Sequence, residues 1–160
     1  MEFNELIAMK KSYKKPQEGD VFVLQPIENI FFWGKVIETN VKSRDSFVNG
    51  MTLIFVYQCY SHDKVMPPNL DSNEFLIAPM VVNYRPWNRG YFETIGNVEV
   101  SQKERNTEIA FRDVLKKEYV DISGNAVESI PKLCGTFGLG SYGAVGKEVH
   151  KALKNINIGI

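Results

Sequence analysis

Five apolar segments along the chain carry the patterns that predict β-strands. They are rich in β-branched and aromatic residues, and they cover residues 20–25, 31–39, 51–60, 75–83 and 90–100. In the third segment both alternating sets of side chains are largely apolar, which indicates a central strand buried on both faces. Pro79 lacks a backbone donor, so the fourth segment is predicted to be an edge strand or to carry a bulge.

Helical periodicity occurs near the two ends of the chain. Residues 2–11 predict a short amphipathic helix, because Phe3, Leu6 and Ile7 fall at the i, i+3, i+4 spacing. Residues 144–156 predict a second helix with one apolar face. That face consists of Val145, Val149, Leu153 and Ile156. A basic stretch begins at the end of the first helix, leads to Pro16 and contains Lys10, Lys11, Lys14 and Lys15.

Two segments before the second helix carry weaker signals. Residues 118–129 resemble a hairpin, with a turn at Ser123-Gly124-Asn125, whose residues tolerate a positive φ. Residues 104–117 are ambiguous, because their apolar positions fit both a strand and a helix. The whole pattern predicts one α+β domain over residues 1–160. Its strands would form a mostly antiparallel sheet or a partly open SH3-like barrel, with a short helix near each end.

Composition agrees with one globular domain. The chain has 160 residues, of which 44% are hydrophobic, and a chain of this size buries about 70% of its unfolded surface. Nineteen basic and nineteen acidic residues give a formal net charge of zero. That balance argues against a nucleic-acid partner, since nucleic-acid-binding domains typically have a pI above about 9.

The compartment is expected to be the cytoplasm. The chain opens without the apolar core of a secretory signal, and no apolar run approaches the roughly 18 residues of a membrane span. No membrane partner is therefore expected. The chain has two cysteines, and in a reducing cytoplasm both thiols are expected to be free.

A glycine-rich stretch near the end, "GTFGLGSYGAVGKE", matches two nucleotide-binding patterns by its letters. A kinase loop needs a catalytic domain after it, and a dinucleotide fold needs a second strand with an acidic residue. Fewer than twenty residues follow Val145, so neither set of partners has room. We interpret the stretch as the approach to the last helix, with Ser141 as its N-cap and no nucleotide cofactor.

Metal and catalytic sites are also incomplete. Cys59, His62, Cys134 and His150 could form a Cys₂His₂ set, but they lack the two compact ligand pairs of structural zinc. No serine lies in a G-x-S-x-G elbow, and the two histidines belong to no recognisable triad. We therefore expect no metal and no catalytic residue. An enzyme with a dispersed carboxylate site is the least favoured alternative.

The turn "NYRPWNRGYF" holds the candidate binding residues. Trp, Tyr and Arg are enriched in protein-interface hot spots, and turns often carry recognition residues. Large aromatic residues also dominate protein cores, so burial of these rings is the alternative. The candidate contact residues are Tyr84, Arg85, Trp87 and Arg89, with the acidic residues Asp71, Glu74 and Glu93 nearby in sequence.

The order of several short motifs resembles the Immunity protein 26 family of bacterial polymorphic-toxin and contact-dependent systems. These motifs are "EGDVFVLQP", "GKVIE", "LIFVYQCY", "WNRGYF" and "EYVDISGNAV", and the resemblance covers roughly residues 16–155. Six residues match the family pattern and are interpreted as architectural: Gly19, Phe22, Gly34, Trp87, Gly90 and Gly124.

The resemblance implies a non-enzymatic cytoplasmic protein that binds and neutralises a cognate toxin domain. It carries over no catalytic residue and no cofactor, and it leaves the toxin's activity and the oligomeric state open. If the toxin is a nuclease, its basic cleft would attract the acidic residues near the turn. The alternative is an SH3-like β-barrel module that binds a peptide or a nucleic acid.

Overall fold

The computed structural model describes residues 5–156. In chain order its strands and helices are β1 (Asp20–Ile27), β2 (Ile30–Glu38), β3 (Thr52–Ser61), a 3₁₀ turn (Leu70–Ser72), β4 (Met80–Val82), α1 (Arg85–Asn88), β5 (Phe92–Asn97), α2 (Gln102–Arg105), β6 (Phe111–Asp113), β7 (Glu118–Val120), β8 (Gly135–Thr136), β9 (Leu139–Gly140) and α3 (Tyr142–Leu153).

Two sheets organise these elements. The larger has the order β5-β1-β2-β3-β4-β9, and the smaller has the order β7-β6-β8. Most neighbouring strands are antiparallel, while β4–β9 and β6–β8 are parallel. The α+β class with mostly antiparallel sheet is therefore confirmed. Within the described residues the strands form open sheets and do not close into an SH3-like barrel.

Apolar side chains cover both faces of the larger sheet, because those of β1, β2 and β3 alternate between them. One face packs with Trp87 of α1 and with Val145 and Val149 of α3. The other face packs against the smaller sheet, which contributes Phe111 and Val120. The prediction that β3 is buried on both faces is confirmed over residues 52–57.

The fourth predicted strand is shorter than expected. Its regular part, β4, begins directly after Pro79 and pairs with β3 on one side and β9 on the other. β4 therefore lies one strand in from the edge, so the edge alternative is wrong. The bulge alternative is confirmed, because Phe75 pairs with Tyr57 and Met80 with Ile54, a register shift of two residues across the segment that contains Pro79. Pro79 instead marks the point where the strand begins, which suits a residue that cannot donate a ladder hydrogen bond.

The predicted N-terminal helix is wrong for residues 5–11, and residues 2–4 lie outside the described part. Residues 5–11 are not helical. The amides of Ile7 and Met9 donate to the carbonyls of Gln25 and Gly90, both at 2.7 Å. A helix of this length is marginal without tertiary support, and these bonds to distant parts of the chain hold the backbone in another form.

The ambiguous segment 104–117 contains both kinds of structure. The end of helix α2 is followed by strand β6, and a turn then leads into β7. The predicted hairpin turn is present, since Gly124 has φ +95° and the amide of Asp121 donates to the carbonyl of Asn125 at 2.8 Å. The last helix is confirmed as α3.

Candidate functional site

The candidate turn is built around the four-residue helix α1. Asn83 Oδ1 accepts a hydrogen bond from the amide of Arg85 at 2.9 Å, and Pro86 occupies the first turn. Proline is favoured there because its missing amide and fixed φ suit a helix start. Gly90 ends the turn with φ +81°, a conformation that glycine adopts without strain.

Trp87 lies in the core and is 1% exposed. Its ring contacts Phe22 and Phe92 edge-on, with ring centroids 5.5 and 5.1 Å apart. Its Nε1 donates to Thr94 Oγ1 at 3.1 Å. The expectation that Trp87 is a surface anchor is therefore corrected: its ring packs between α1 and the sheet and offers no contact surface in this conformation.

The two arginines of the turn remain accessible. Arg85 and Arg89 are exposed and lie four residues apart, on one side of the turn. Neither side chain forms a salt bridge with any residue between 5 and 156. Tyr84 is partly exposed beside them. Tyr84, Arg85 and Arg89 are thus accessible side chains of the candidate turn.

Glu93 lies on the opposite face of the sheet from Trp87. The neighbouring side chains, Phe92 and Thr94, both contact Trp87. Since side chains alternate along a strand, Glu93 between them points to the other face. There it accepts a hydrogen bond from Lys64 Nζ at 2.9 Å.

Asp71 and Glu74 lie on the far side of the larger sheet. Asp71 is in the 3₁₀ turn, and the carbonyl of Glu74 accepts a hydrogen bond from the amide of Gln58 in β3 at 2.7 Å. Glu74 lies beside β3 on the side away from β2, so four strand spacings separate its backbone from β5. This corresponds to about 19 Å. The structure therefore does not bring these two acids together with Glu93.

The N-terminal segment reaches the candidate turn, which the sequence analysis missed. The amide of Met9 donates to Gly90, and the amide of Ser12 donates to the carbonyl of Trp87 at 3.0 Å. The amide of Lys10 donates to Glu93 Oε1 at 3.4 Å. We call residues 5–15 the N-terminal arm. The basic stretch was visible in the sequence, but its position depends on these long-range backbone bonds.

The glycine-rich stretch forms the passage from β9 into α3. A β-carbon on Gly140 would lie 2.5 Å from Cε of Met80, so its small size permits close packing on β4. Ser141 Oγ accepts a hydrogen bond from the amide of Ala144 at 3.1 Å, which confirms the predicted N-cap. The stretch lines a cleft of about 800 Å³ that also includes Arg112.

The four possible zinc ligands have separate partners. His62 contacts the backbone carbonyl of Asn29, and His150 contacts that of Glu5. Cys59 and Cys134 are free thiols, and burial raises the pKa of each. A raised pKa keeps a thiol protonated and less nucleophilic. Within residues 5–156 no group of three His, Cys, Asp or Glu side chains is arranged to hold a metal ion.

A buried polar network lies on the face opposite α1. Glu104 of α2 accepts hydrogen bonds from Lys35 Nζ at 2.8 Å and from the Tyr57 hydroxyl at 2.6 Å. Burial and the contact with Glu104 raise the pKa of Tyr57 well above its usual range. Since every member has a partner inside the protein, we assign this network to the fold rather than to binding.

Comparison with known proteins identifies the family to which the chain is similar. The family model described as Immunity protein 26 matches residues 17–121, about two thirds of the chain. The matched region contains both sheets' longer strands and the candidate turn, while β8, β9 and α3 lie beyond it. No curated protein and no solved structure matches the chain. Among residues 5–156, no helix has the length and apolar character needed to cross a bilayer.

Proposed function

The chain belongs to the Immunity protein 26 family, and from that premise we propose that it binds and neutralises one cognate toxin domain in the bacterial cytoplasm. Membership in an immunity-protein family implies toxin neutralisation in general terms. The identity of the toxin domain, the cytoplasmic location and the binding surface are the specific parts of this proposal. The observation that carries it is the family match over residues 17–121.

We propose that neutralisation is by binding and involves no catalysis by this chain. The buried ionisable groups Lys35, Tyr57 and Glu104 satisfy one another, and both thiols have raised pKa values. These groups serve packing in this fold. By contrast, the exposed side chains of the α1 turn are of the types that dominate protein-interface energetics.

The proposed contact surface is the accessible part of the α1 turn. Tyr84, Arg85 and Arg89 are the contact residues, and the buried Trp87 holds the turn against the sheet. Glu93 borders this region from the other face of β5. Glu74 lies outside the proposed surface, because four strand spacings separate its backbone from β5, and Asp71 precedes it by three residues in the 3₁₀ turn.

Co-expression tests the function. The toxin to be tested is the product of the reading frame directly upstream, since an immunity gene is expected to follow its toxin gene. Cells that express this toxin should survive when they also make the wild-type protein and die when they do not. Equal death with and without the protein, at confirmed expression of both, would show that the immunity function is wrong.

A further inference from the structure

Six exposed cationic side chains occur together on the N-terminal arm and the α1 turn. They are Lys10, Lys11, Lys14, Lys15, Arg85 and Arg89. The salt bridges of the described residues involve other cations, namely Lys35, Arg44, Lys64 and Arg105. The six side chains are therefore exposed and unpaired by acids within residues 5–156. We call them the basic surface.

Backbone hydrogen bonds bring the arm and the turn together. The amide of Met9 donates to the carbonyl of Gly90 at 2.7 Å, and the amide of Ser12 donates to the carbonyl of Trp87 at 3.0 Å. Lys10 and Lys11 lie between these two anchored residues, and Arg89 lies between their two acceptors. Lys14 and Lys15 follow Ser12 by two and three residues, which limits their backbone to about 11 Å from it.

The basic surface makes a neutral chain electrostatically polar. It contains six of the nineteen basic residues, while the arm and residues 84–90 together contain one acidic residue, Glu5. The rest of the chain therefore carries a formal excess of six negative charges. Glu93 lies beside the arm and accepts its hydrogen bonds from Lys64 and from the amide of Lys10. Total charge conceals this separation.

We propose that the basic surface docks onto an acidic surface of the cognate toxin domain. The inference rests on the proposed function and reverses the charge expected from sequence, where acidic residues were to meet a basic cleft. Unpaired cations gathered along the arm and the turn attract a negatively charged partner over a distance of about a Debye length. Tyr13, which is 82% exposed and lies between Lys11 and Lys14 of the arm, adds an aromatic contact of the kind found in hot spots.

A protein partner suits this surface better than a nucleic acid. The formal excess of acidic groups over the rest of the chain would repel a phosphate backbone that extends past the basic surface. A compact acidic patch on a folded toxin domain meets only the basic side. Binding by this surface blocks the toxin at a site that is itself acidic or borders acidic residues.

Matched charge-reversal variants test the proposal. The first variant combines Lys11→Glu, Lys14→Glu and Arg89→Glu. The control combines Lys42→Glu, Lys116→Glu and Lys132→Glu, which are also exposed and outside the observed salt bridges. Both variants change the total charge by the same amount, so they differ only in which part of the surface carries the change. Thermal unfolding should show that both variants remain folded.

The measurement is the association rate with the upstream toxin domain at low and at physiological salt. The first variant should associate at least about tenfold more slowly at low salt, with a weaker salt dependence, whereas the control should stay within about threefold of wild type. Equal effects of the two variants would overturn the acidic-partner inference and leave the immunity function standing. Failure of the wild-type protein to bind or protect would reject both.

A duplex oligonucleotide serves as the competing probe under the same conditions. The wild-type protein could bind the duplex more tightly than the toxin domain, and the first variant could lose that binding. This result would assign the surface to nucleic acid and overturn the proposal. Weak duplex binding that both variants change equally would support the protein partner.

Discussion

Lys35 Nζ lies 2.8 Å from Glu104 Oε1, and both side chains are buried, with exposed fractions of 5% and 2%. Lys35 belongs to β2 in the middle of the larger sheet, while Glu104 belongs to α2. A second bond, from Lys35 Nζ to the carbonyl of Glu99 at 2.9 Å, fixes the approach to α2. This ion pair therefore holds the segment between β5 and β6 against the sheet.

Removing one partner of this pair should strongly destabilise the fold. Glu104→Ala leaves Lys35 buried without its carboxylate and should lower the free energy of unfolding by about 3–5 kcal/mol. The triple variant Lys35→Met/Tyr57→Phe/Glu104→Leu should recover much of that loss, because it also removes the Tyr57 hydroxyl that bonds to Glu104, and apolar residues of similar volume often replace buried pairs without cost. Urea denaturation measures both. A single-variant loss below about 1 kcal/mol would contradict a dry, buried pair.

Tyr57 should make stability fall at high pH. Its pKa is raised in the folded protein, so above about pH 10 the unfolded chain loses this proton while the folded chain keeps it. The free energy of unfolding should therefore decrease above pH 10, with a contribution from this group of up to about 1.4 kcal/mol per pH unit. Tyr57→Phe should show a shallower decrease. Identical slopes for the two proteins would show that Tyr57 titrates normally.

Replacing Thr52 with valine should stabilise the protein. Its Oγ1 is buried and has no hydrogen-bond partner among residues 5–156, and valine has nearly the same shape. Thr52→Val should raise the free energy of unfolding by about 1 kcal/mol, since an unpaired buried hydroxyl is unfavourable. The matched control is Thr94→Val, which removes the acceptor of Trp87 Nε1 and should be destabilising. A loss of stability in Thr52→Val would indicate a partner for this hydroxyl.

The central strands could be predicted because their signal is local. Residues 51–60 have apolar side chains in both alternating positions, and their β-branched and aromatic residues favour a strand covered on both faces over a buried helix. The terminal helix was equally clear from the periodicity of its apolar face. In both cases the pattern of buried positions repeats within the element itself, so the element can be predicted from its local sequence.

The arm and the site could not be predicted in the same way. Leu6 and Ile7 fit a helix by spacing, but the arm's backbone bonds to Gln25, Gly90 and Trp87, which lie far away in sequence. Trp87 stands in a turn, and only its contacts with Phe22 and Phe92 place its ring in the core. Long-range contacts decided both outcomes, and they leave little trace in local composition.

Gly90 should control the attachment of the arm. Its φ is +81°, and a β-carbon there would lie 2.8 Å from the carbonyl oxygen of Met9. Gly90→Ala should therefore strain the turn by about 1–2 kcal/mol and displace the arm, so that trypsin cleaves sooner at the arm lysines. Gly143→Ala is the control, because its β-carbon would meet nothing closer than 3.7 Å. Equal cleavage rates in both variants would contradict this attachment.

Trp87 and Arg89 should differ in what their loss affects. Trp87→Ala removes a buried ring and should lower the free energy of unfolding by about 3–5 kcal/mol, with weaker toxin binding only as a consequence. Arg89→Ala removes an exposed side chain without a salt bridge, so stability should change by less than about 0.5 kcal/mol. If Arg89 is a hot-spot contact, its loss should weaken toxin binding by 2 kcal/mol or more, about thirtyfold.

Thermal unfolding and titration of the toxin domain measure the two effects on the same preparations. Arg112→Ala is the matched control, because Arg112 is an exposed arginine of the smaller sheet and should alter neither quantity. A folded Arg89→Ala protein that binds the toxin as tightly as wild type would remove Arg89 from the contact surface. A Trp87→Ala protein of unchanged stability would contradict the buried position of that ring, since the contacts with Phe22, Phe92 and Thr94 would then contribute nothing to the fold.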